Sequence, residues 1–301
     1  MTTRIGLYNL EPRFTNIALE KIRRYYEAKG CVVSDCSPVE ASEFDQVYCS
    51  SLFDWTPKKY VAPNMVVGGT GFDPTIALPP DIEATELHIN RGFTTRGCIR
   101  NCPFCLVRVK EGYIRVVGTL LDLWDKVHRD IVLYDNNILA LPEHFHLICE
   151  QARQYKLHLD FNQGLDHRLL TPELIAEMKS ISHVEYRFSF DQVGSADTVV
   201  EAIRVLRENG IQRSMWFVLT GFNTTIQDDL FRLNLLRNED QDAYVQRYRR
   251  PNFKKDAREL VALARWANQH NLFRKLTWRQ FLQHPDNNYE ELMWTADIGK
   301  A

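Results

Sequence analysis

Short runs rich in β-branched residues alternate with helical periodicity from one end of this chain to the other, and no feature restricts its fold more. Arg4 to Tyr8 reads as a buried strand. Asn16 to Lys29 then carries apolar residues at Ile17, Ile22, Tyr25 and Tyr26, a helical pattern closed by Gly30, and Cys31 to Val33 resumes strand. Phe44 to Cys49 and Asn64 to Val67 are two more short strands. The second runs into Gly68-Gly69-Thr70-Gly71 and then the proline-rich stretch Pro74 to Pro80, which marks a boundary.

Beyond the boundary, Thr85 to Thr95 leads into a cysteine cluster and a second alternating series. Strands are expected near 130–134, 157–162, 184–190, 213–219 and 243–248. Helices are expected near 119–128, 142–155, 172–180, 196–209, 225–237 and 255–269, with Pro142 and Pro172 in first turns and Gly210 closing one helix. With the strand before the cysteines this makes six βα units. Strands that alternate with helices pair in parallel through right-handed crossovers, and six such units over this length suit a partial (βα)6 TIM-like barrel, with chemistry at the strand C-terminal ends. The expected organisation is α/β throughout: a small Rossmann-like αβ domain over 1–84, the barrel over 85–270 and a short helical extension over 271–301. That extension holds an amphipathic stretch around Leu276 to Leu282, then an acidic, mobile tail.

Composition narrows the function classes. The chain has 301 residues, 37 basic against 39 acidic, and a net charge of −2, which argues against wholesale coating of nucleic acid and leaves a local basic face open. There is no long uncharged apolar run for a membrane span, and the opening MTTRIGLYNL lacks the features of a secretory signal, so a cytoplasmic protein is expected. The seven cysteines are not a disulfide framework: Cys31, Cys36, Cys49 and Cys149 sit in or beside apolar stretches as small hydrophobes, while three crowd together at 98–105.

The segment Gly97-Cys98-Ile99-Arg100-Asn101-Cys102-Pro103-Phe104-Cys105 spaces its thiols C-x3-C-x2-C directly after a strand. Structural zinc wants four ligands, usually in two close pairs, and no second pair exists. An iron–sulfur cube normally takes four cysteines, so three leave one iron open to another ligand. The readings left standing are such a cluster, a three-cysteine zinc site completed by a histidine such as His88, and surface thiols without metal. The spacing, Phe104 just before the third cysteine, and the position after the first of six βα units resemble the radical S-adenosylmethionine (radical SAM) superfamily.

The resemblance implies that Cys98, Cys102 and Cys105 bind three irons of a [4Fe-4S] cluster and that S-adenosylmethionine chelates the fourth. Reductive cleavage of that cofactor would give methionine and a 5'-deoxyadenosyl radical that abstracts hydrogen from a substrate. It also implies cofactor contacts at the strand ends. Asp135 or Asn136 of Tyr134-Asp135-Asn136-Asn137 would meet the methionine amino group, where the superfamily often has a Gly-Gly-Glu-like turn. Asn162, Arg168, Arg187 and Ser189 would meet the ribose and carboxylate, with Arg168 or Arg187 as the carboxylate partner. Gly221 would lie beside adenine, and Tyr248 would reach cofactor or substrate. An electron donor such as flavodoxin or ferredoxin is the implied partner.

The first eighty residues resemble a shortened form of the cobalamin-binding domain that precedes many such barrels. No histidine precedes His88, so the usual Asp-x-His-x-x-Gly cobalt ligand is missing and cobalamin is not expected; a structural remnant that covers the barrel edge or shapes substrate access is. The glycine run fits neither phosphate-binding spacing. Arg247, Arg249, Arg250, Lys254, Lys255, Arg258, Arg274, Lys275 and Arg279, interleaved with Tyr248, Phe253, Trp266, Phe273 and Trp278, suit an anionic substrate such as a nucleotide or nucleic acid. The same pattern also fits a solvated helix face with its aromatics in the core. The alternative from another class is a non-catalytic nucleic-acid-binding protein holding zinc or an inert cluster.

Overall fold

In the computed structural model, which describes residues 2–249 and 257–298, the chain opens with a four-stranded parallel sheet. Strand β1 (Arg4–Asn9) is central, flanked by β2 (Val32–Asp35) and by β3 (Gln46–Ser50), with β4 (Met65–Gly68) outside β3. Asn16 caps helix α1 (Ile17–Ala28) by accepting from Leu19 N at 3.2 Å, and α1 buries Leu19 and Ile22 against Ile5 and Leu7 of β1. Gly69 has φ +89°, and a Cβ there would lie 2.4 Å from Ser51 O; at Gly71 it would lie 2.4 Å from Phe53 O. The glycine run is therefore a backbone-on-backbone packing device.

After a short helix, α2 (Pro80–Glu83), comes β5 (Arg91–Gly92), then the antiparallel pair β6 (Thr95–Arg96) and β7 (Arg115–Val116) with α3 (Val107–Glu111) between them. Helix α4 (Leu120–Leu123), strand β8 (Asp130–Leu133), helix α5 (Pro142–Tyr155) and strand β9 (His158–Phe161) follow, then α6 (Pro172–Lys179), β10 (Ser182–His183), β11 (Arg187–Ser189) and α7 (Ala196–Glu208). The series continues through β12 (Met215–Thr220), α8 (Ile226–Asn238), β13 (Asp242–Arg247) and α9 (Arg258–Ala267), and ends in α10 (His270–Lys275) and α11 (Trp278–Leu282).

Two parallel sheets result, in the orders β10-β9-β8-β5 and β11-β12-β13. The segment 182–189 belongs to both: Ser182 and His183 pair with β9, and Arg187 to Ser189 pair with β12. Apart from the antiparallel β6–β7 pair, parallel strands thus follow one another in chain order from β5 to β13. Along them the two faces differ. Leu159, Phe161, Phe188, Trp216, Val218 and Val245 are buried against Phe145 and Ile148 of α5, Ile203 of α7, Leu233 of α8 and Trp266 of α9. Asp160, Arg187, Ser189, Phe217 and Leu219, alternating with them, are only half-buried, and Tyr244 and Gln246 are exposed. A parallel sheet normally carries helices on both faces. Here, among the described residues, one face is less buried than the other.

Several expectations need correction. The strand expected up to Thr95 is split into Arg91–Gly92 and Thr95–Arg96: Asn90 (φ 56°) precedes the first piece, and Gly92 (φ 155°) ends it away from ordinary extended geometry. The helix near 119–128 stops at Leu123: Trp124 turns extended (ψ 128°) and Lys126 is left-handed (φ 64°). The tail is packed over the described residues up to 298: Tyr289, Leu292, Thr295 and Ala296 are buried, and Trp278 Nε1 donates to Thr295 Oγ1 at 2.8 Å. Among the described residues, no helix is long and apolar enough to cross a membrane.

Candidate functional site

The C-x3-C-x2-C segment is the connection between β6 and β7. Gly97 has φ +86°, and a Cβ on it would fall 2.3 Å from Tyr113 O, so only glycine lets the loop fold back on Gly112 and Tyr113. Cys98 N then donates to Gly112 O (3.3 Å), Gly97 N to Glu111 Oε2 (3.1 Å), and Arg108 Nη1 to Cys98 O (3.1 Å). Glu111 Oε2 also accepts from Asn136 Nδ2 (2.8 Å), which ties the loop to the end of β8.

Asp135 lies beneath the loop, 4% exposed, and its carboxylate accepts from the backbone N–H groups and hydroxyls of Thr94 and Thr95. Burial pushes its carboxyl up, against those hydrogen bonds. Four of these bonds end on Oδ1 and only a shared one from Thr94 N (3.3 Å) reaches Oδ2, so Asp135 supports the cysteine loop chiefly through one oxygen. Asn136 Nδ2 is engaged with Glu111.

Cys98 Sγ accepts from Arg100 N (3.3 Å) and Asn137 Nδ2 (3.4 Å). Asn137 Nδ2 also reaches Asp166 Oδ2 (3.2 Å), while Asn137 Oδ1 is buried without a hydrogen-bond partner. Asp166 gathers the network: its Oδ2 accepts from Arg100 Nε (2.9 Å) and its Oδ1 from Arg168 Nε (2.6 Å). Burial alone would raise the Asp166 carboxyl, but the two guanidinium groups hold it below its ordinary value. The Cys102 and Cys105 thiols are raised, first by burial; at Cys102 the neighbouring Arg168 pulls the other way, and Asp191 adds to the rise at both.

The remaining residues implied by the resemblance fall into two groups. Ser189 donates to Asp191, whose carboxyl burial raises and Leu219 N (3.2 Å) steadies; Asn162 is exposed at the end of β9 on the open face. Phe104 meets Phe222 edge-on (centroids 5.5 Å), and Phe222 meets Tyr248 (4.8 Å), so the loop after β5 touches the segments after β12 and β13. These belong to one end of the strands. Arg187, by contrast, is bound to Asp160 and, at 2.9 Å, to Glu185, so it has no charge to spare for a carboxylate. Gly221 (φ +78°) turns the chain after β12, and a Cβ there would press Leu260 Cδ1 at 2.8 Å; its glycine answers to that turn.

Among the described residues, much of the basic and aromatic series near the C-terminus is buried or ion-paired. Trp266, Phe273 and Trp278 are core residues, Arg274 pairs with Asp242, Arg258 with Glu291 and Arg279 with Asp297. Arg250, Phe253, Lys254 and Lys255 lie outside the described residues.

All seven cysteines are free; Cys49 and Cys149 are buried, their thiols pushed up to about 12 by burial, whereas the loop cysteines are partly accessible. Among the described residues no three His, Cys, Asp or Glu side chains are arranged to hold one metal ion. Thiolates that share a zinc at about 2.3 Å must crowd together, while cysteines that each serve a different iron of a cluster need not. The donor set, three accessible thiols with N–H groups aimed at one sulfur, fits a cluster ligand loop. No protein-family model matches the chain, and none of the curated proteins matches it.

Proposed function

We propose that the chain is a radical S-adenosylmethionine enzyme whose residues 85–270 form a partial (βα)6 barrel. The chain-order run of parallel strands from β5 to β13, and the Phe104–Phe222–Tyr248 contact between its first and last loops, support the barrel. The single observation that carries the reading is the setting of Cys98. Its sulfur accepts two N–H hydrogen bonds at the strand ends, beside a buried acceptor, Asn137 Oδ1, that has no partner. Such donors stabilise a thiolate ligand.

Cys98, Cys102 and Cys105 would hold three irons of a [4Fe-4S] cluster. Bound there with S-adenosylmethionine, that group supplies one-electron cleavage of the cofactor's sulfonium carbon–sulfur bond. The chain's own residues position and shield. Asp135 and Glu111 fix the loop. Asn137 Oδ1 takes over the methionine amino contact from Asp135, and Arg168, beside Cys102, is the cation for the carboxylate in place of Arg187. The half-open face with Phe217, Leu219 and Tyr244 gives the substrate an apolar wall that limits water.

Anaerobic reconstitution tests this. A brown protein with about four irons that, once reduced by dithionite, converts S-adenosylmethionine to 5'-deoxyadenosine is the expected result; a colourless chain that retains zinc instead supports the binding-protein alternative. Asn137→Ala removes a donor to Cys98 as well as the free acceptor, and is expected to weaken iron retention and to lose about ten- to hundredfold in cofactor affinity, the worth of one hydrogen bond to a charged group. Asp135→Ala is expected to impair iron uptake itself.

A further inference from the structure

Strand β13 leads a row of rings out of the larger region and onto the N-terminal sheet. Tyr244 and Gln246 are both exposed and two residues apart, so they share the half-buried strand face, where Tyr244 meets Phe217 of β12 edge-on (centroids 6.0 Å). Tyr248 follows against Phe222, and the Arg249 guanidinium then stands 4.8 Å from the ring centroid of Trp55, in the loop after β3. Trp55 stacks on Phe53 (4.7 Å, 12° between planes), and Phe53 meets Phe14, in the loop after β1, edge-on at 5.6 Å.

Exposure and charge decide what such a row can hold. In residues 10–15 and 51–60 every exposed large apolar side chain is aromatic: Phe14 (52%), Trp55 (38%) and Tyr60 (58%). Arg13 and Lys59 are exposed among them, and the Lys59 ammonium lies 4.8 Å from the Tyr60 centroid. Of the acids there, Glu11 is buried and accepts from Ser51 and Leu52, which leaves Asp54 alone at the surface. On the strand face the charges cancel, because Arg187 pairs with both Asp160 and Glu185. Toward the strand C-terminal ends its exposed groups are Asn162, Tyr244 and Gln246, two amides and a phenol.

We infer that this row binds a single-stranded nucleic acid: bases lie against Trp55, Phe53 and Phe14, phosphates meet Arg13 and Lys59, and one base turns in along β13 toward Tyr244 and Gln246. That this strand is the substrate rests on the function proposed above. Every base offers a flat face to a ring, and cations between the rings hold the backbone, so such a row accepts a strand without reading its sequence. The base that turns in leaves its stack at least cost when it is unpaired, and neutral amides match the donors and acceptors along its edge. A duplex keeps its base faces stacked and would meet the cations alone.

The test is the fluorescence anisotropy of labelled single-stranded RNA and DNA of mixed sequence, titrated with the full chain before and after anaerobic cluster loading. The wild type is expected to bind single strands on the order of tenfold more tightly than the duplex of the same sequence, with an affinity that falls as salt rises; whichever of RNA and DNA binds more tightly identifies the polymer. Trp55→Ala and Tyr244→Ala are each expected to lose about five- to a hundredfold, the worth of stacking on one base. Trp55→Phe keeps a ring and is expected to keep most of the affinity, which separates stacking from misfolding. Lys59→Gln is expected to make the salt dependence shallower by about one phosphate contact. The inference is overturned if the wild type binds no strand, if it binds the duplex equally well, if poly-glutamate displaces the strand as effectively as unlabelled strand does, or if both alanine variants bind as the wild type does. Strand binding by a chain that takes up no cluster would keep this surface and remove the proposed function, whereas a loaded chain that forms 5'-deoxyadenosine and binds no strand would overturn this inference alone.

Discussion

The two parallel-sheet regions of this molecule end their strands in opposite ways. After β1, β3 and β4 of the N-terminal sheet, polar groups close on one another. Glu11 accepts from Ser51 Oγ and Leu52 N (both 2.9 Å), Asn16 donates to Ser50 Oγ (2.8 Å), and Gly69 and Gly71 press their backbones onto Ser51 and Phe53. After β5 to β13 of the larger region, three thiols stay partly accessible, Asn137 keeps an unpartnered acceptor and, among the described residues, one strand face is only half-buried. A strand end whose donors and acceptors are matched internally has no hydrogen bond to offer a ligand; one with groups left over does. The same α/β chemistry thus yields a support in one region and a candidate site in the other.

The larger region has a closed half of its own, and removing it should give the greatest loss of stability. Arg232, fully buried on α8, pairs with Asp229 and donates to Phe190 O and Leu219 O (both 2.8 Å), pinning the ends of two neighbouring strands. Arg232→Met leaves Asp229 buried without its cation. Urea denaturation is expected to record a loss of about 3–5 kcal/mol, most of it recovered by the double change with Asp229→Leu.

Gly71→Ala probes the other side of the comparison. Its methyl would meet Phe53 O and Ser51 Oγ at 2.4 Å, and overpacking of this kind costs about 1–3 kcal/mol. Iron uptake should not change. If it were lost along with stability, the N-terminal sheet would belong to the site and not merely support it. Retention of hydroxocobalamin through gel filtration would carry the same message.

A further effect appears only in acid. His167 is 6% exposed against Trp216 (centroids 5.4 Å), and burial lowers it to about 4 from an ordinary 6.5. Its depressed pKa means that the unfolded chain binds the proton first. Stability is therefore intact above pH 6.5 and falls as pH drops toward 4, by up to about 1.4 kcal/mol per pH unit. His144 and His183, also lowered by burial, add to the slope. Denaturation of His167→Leu at several pH values should show a slope shallower by one proton; an unchanged slope would mean that the ring is solvated.

What could be read in advance follows the range of the forces involved. Helix α5 carries Pro142 in its first turn, a local signal, and the expected span of 142–155 is the one observed. Strand β12 was equally legible from Trp216 to Leu219. The cysteine loop announced itself by spacing. Its supports did not: Glu111 meets Asn136 across 25 residues and Arg100 meets Asp166 across 66, and no local pattern distinguishes those acids from surface ones. Asp135 was singled out for a cofactor contact, and its bonds to Thr94 and Thr95 were not legible because only the fold brings those residues against its carboxylate. Arg187 looked available until Asp160 and Glu185 were found beside it.

The most direct test is the iron content of the anaerobically reconstituted chain with Cys98, Cys102 and Cys105 changed to Ala, set beside Cys149→Ala. If the open strand ends are the site, the triple variant keeps its fold and holds almost no iron, while Cys149→Ala, which removes a buried thiol of the core, keeps the wild-type complement at some loss of stability. A folded triple variant that takes up as much iron as the wild type would contradict it.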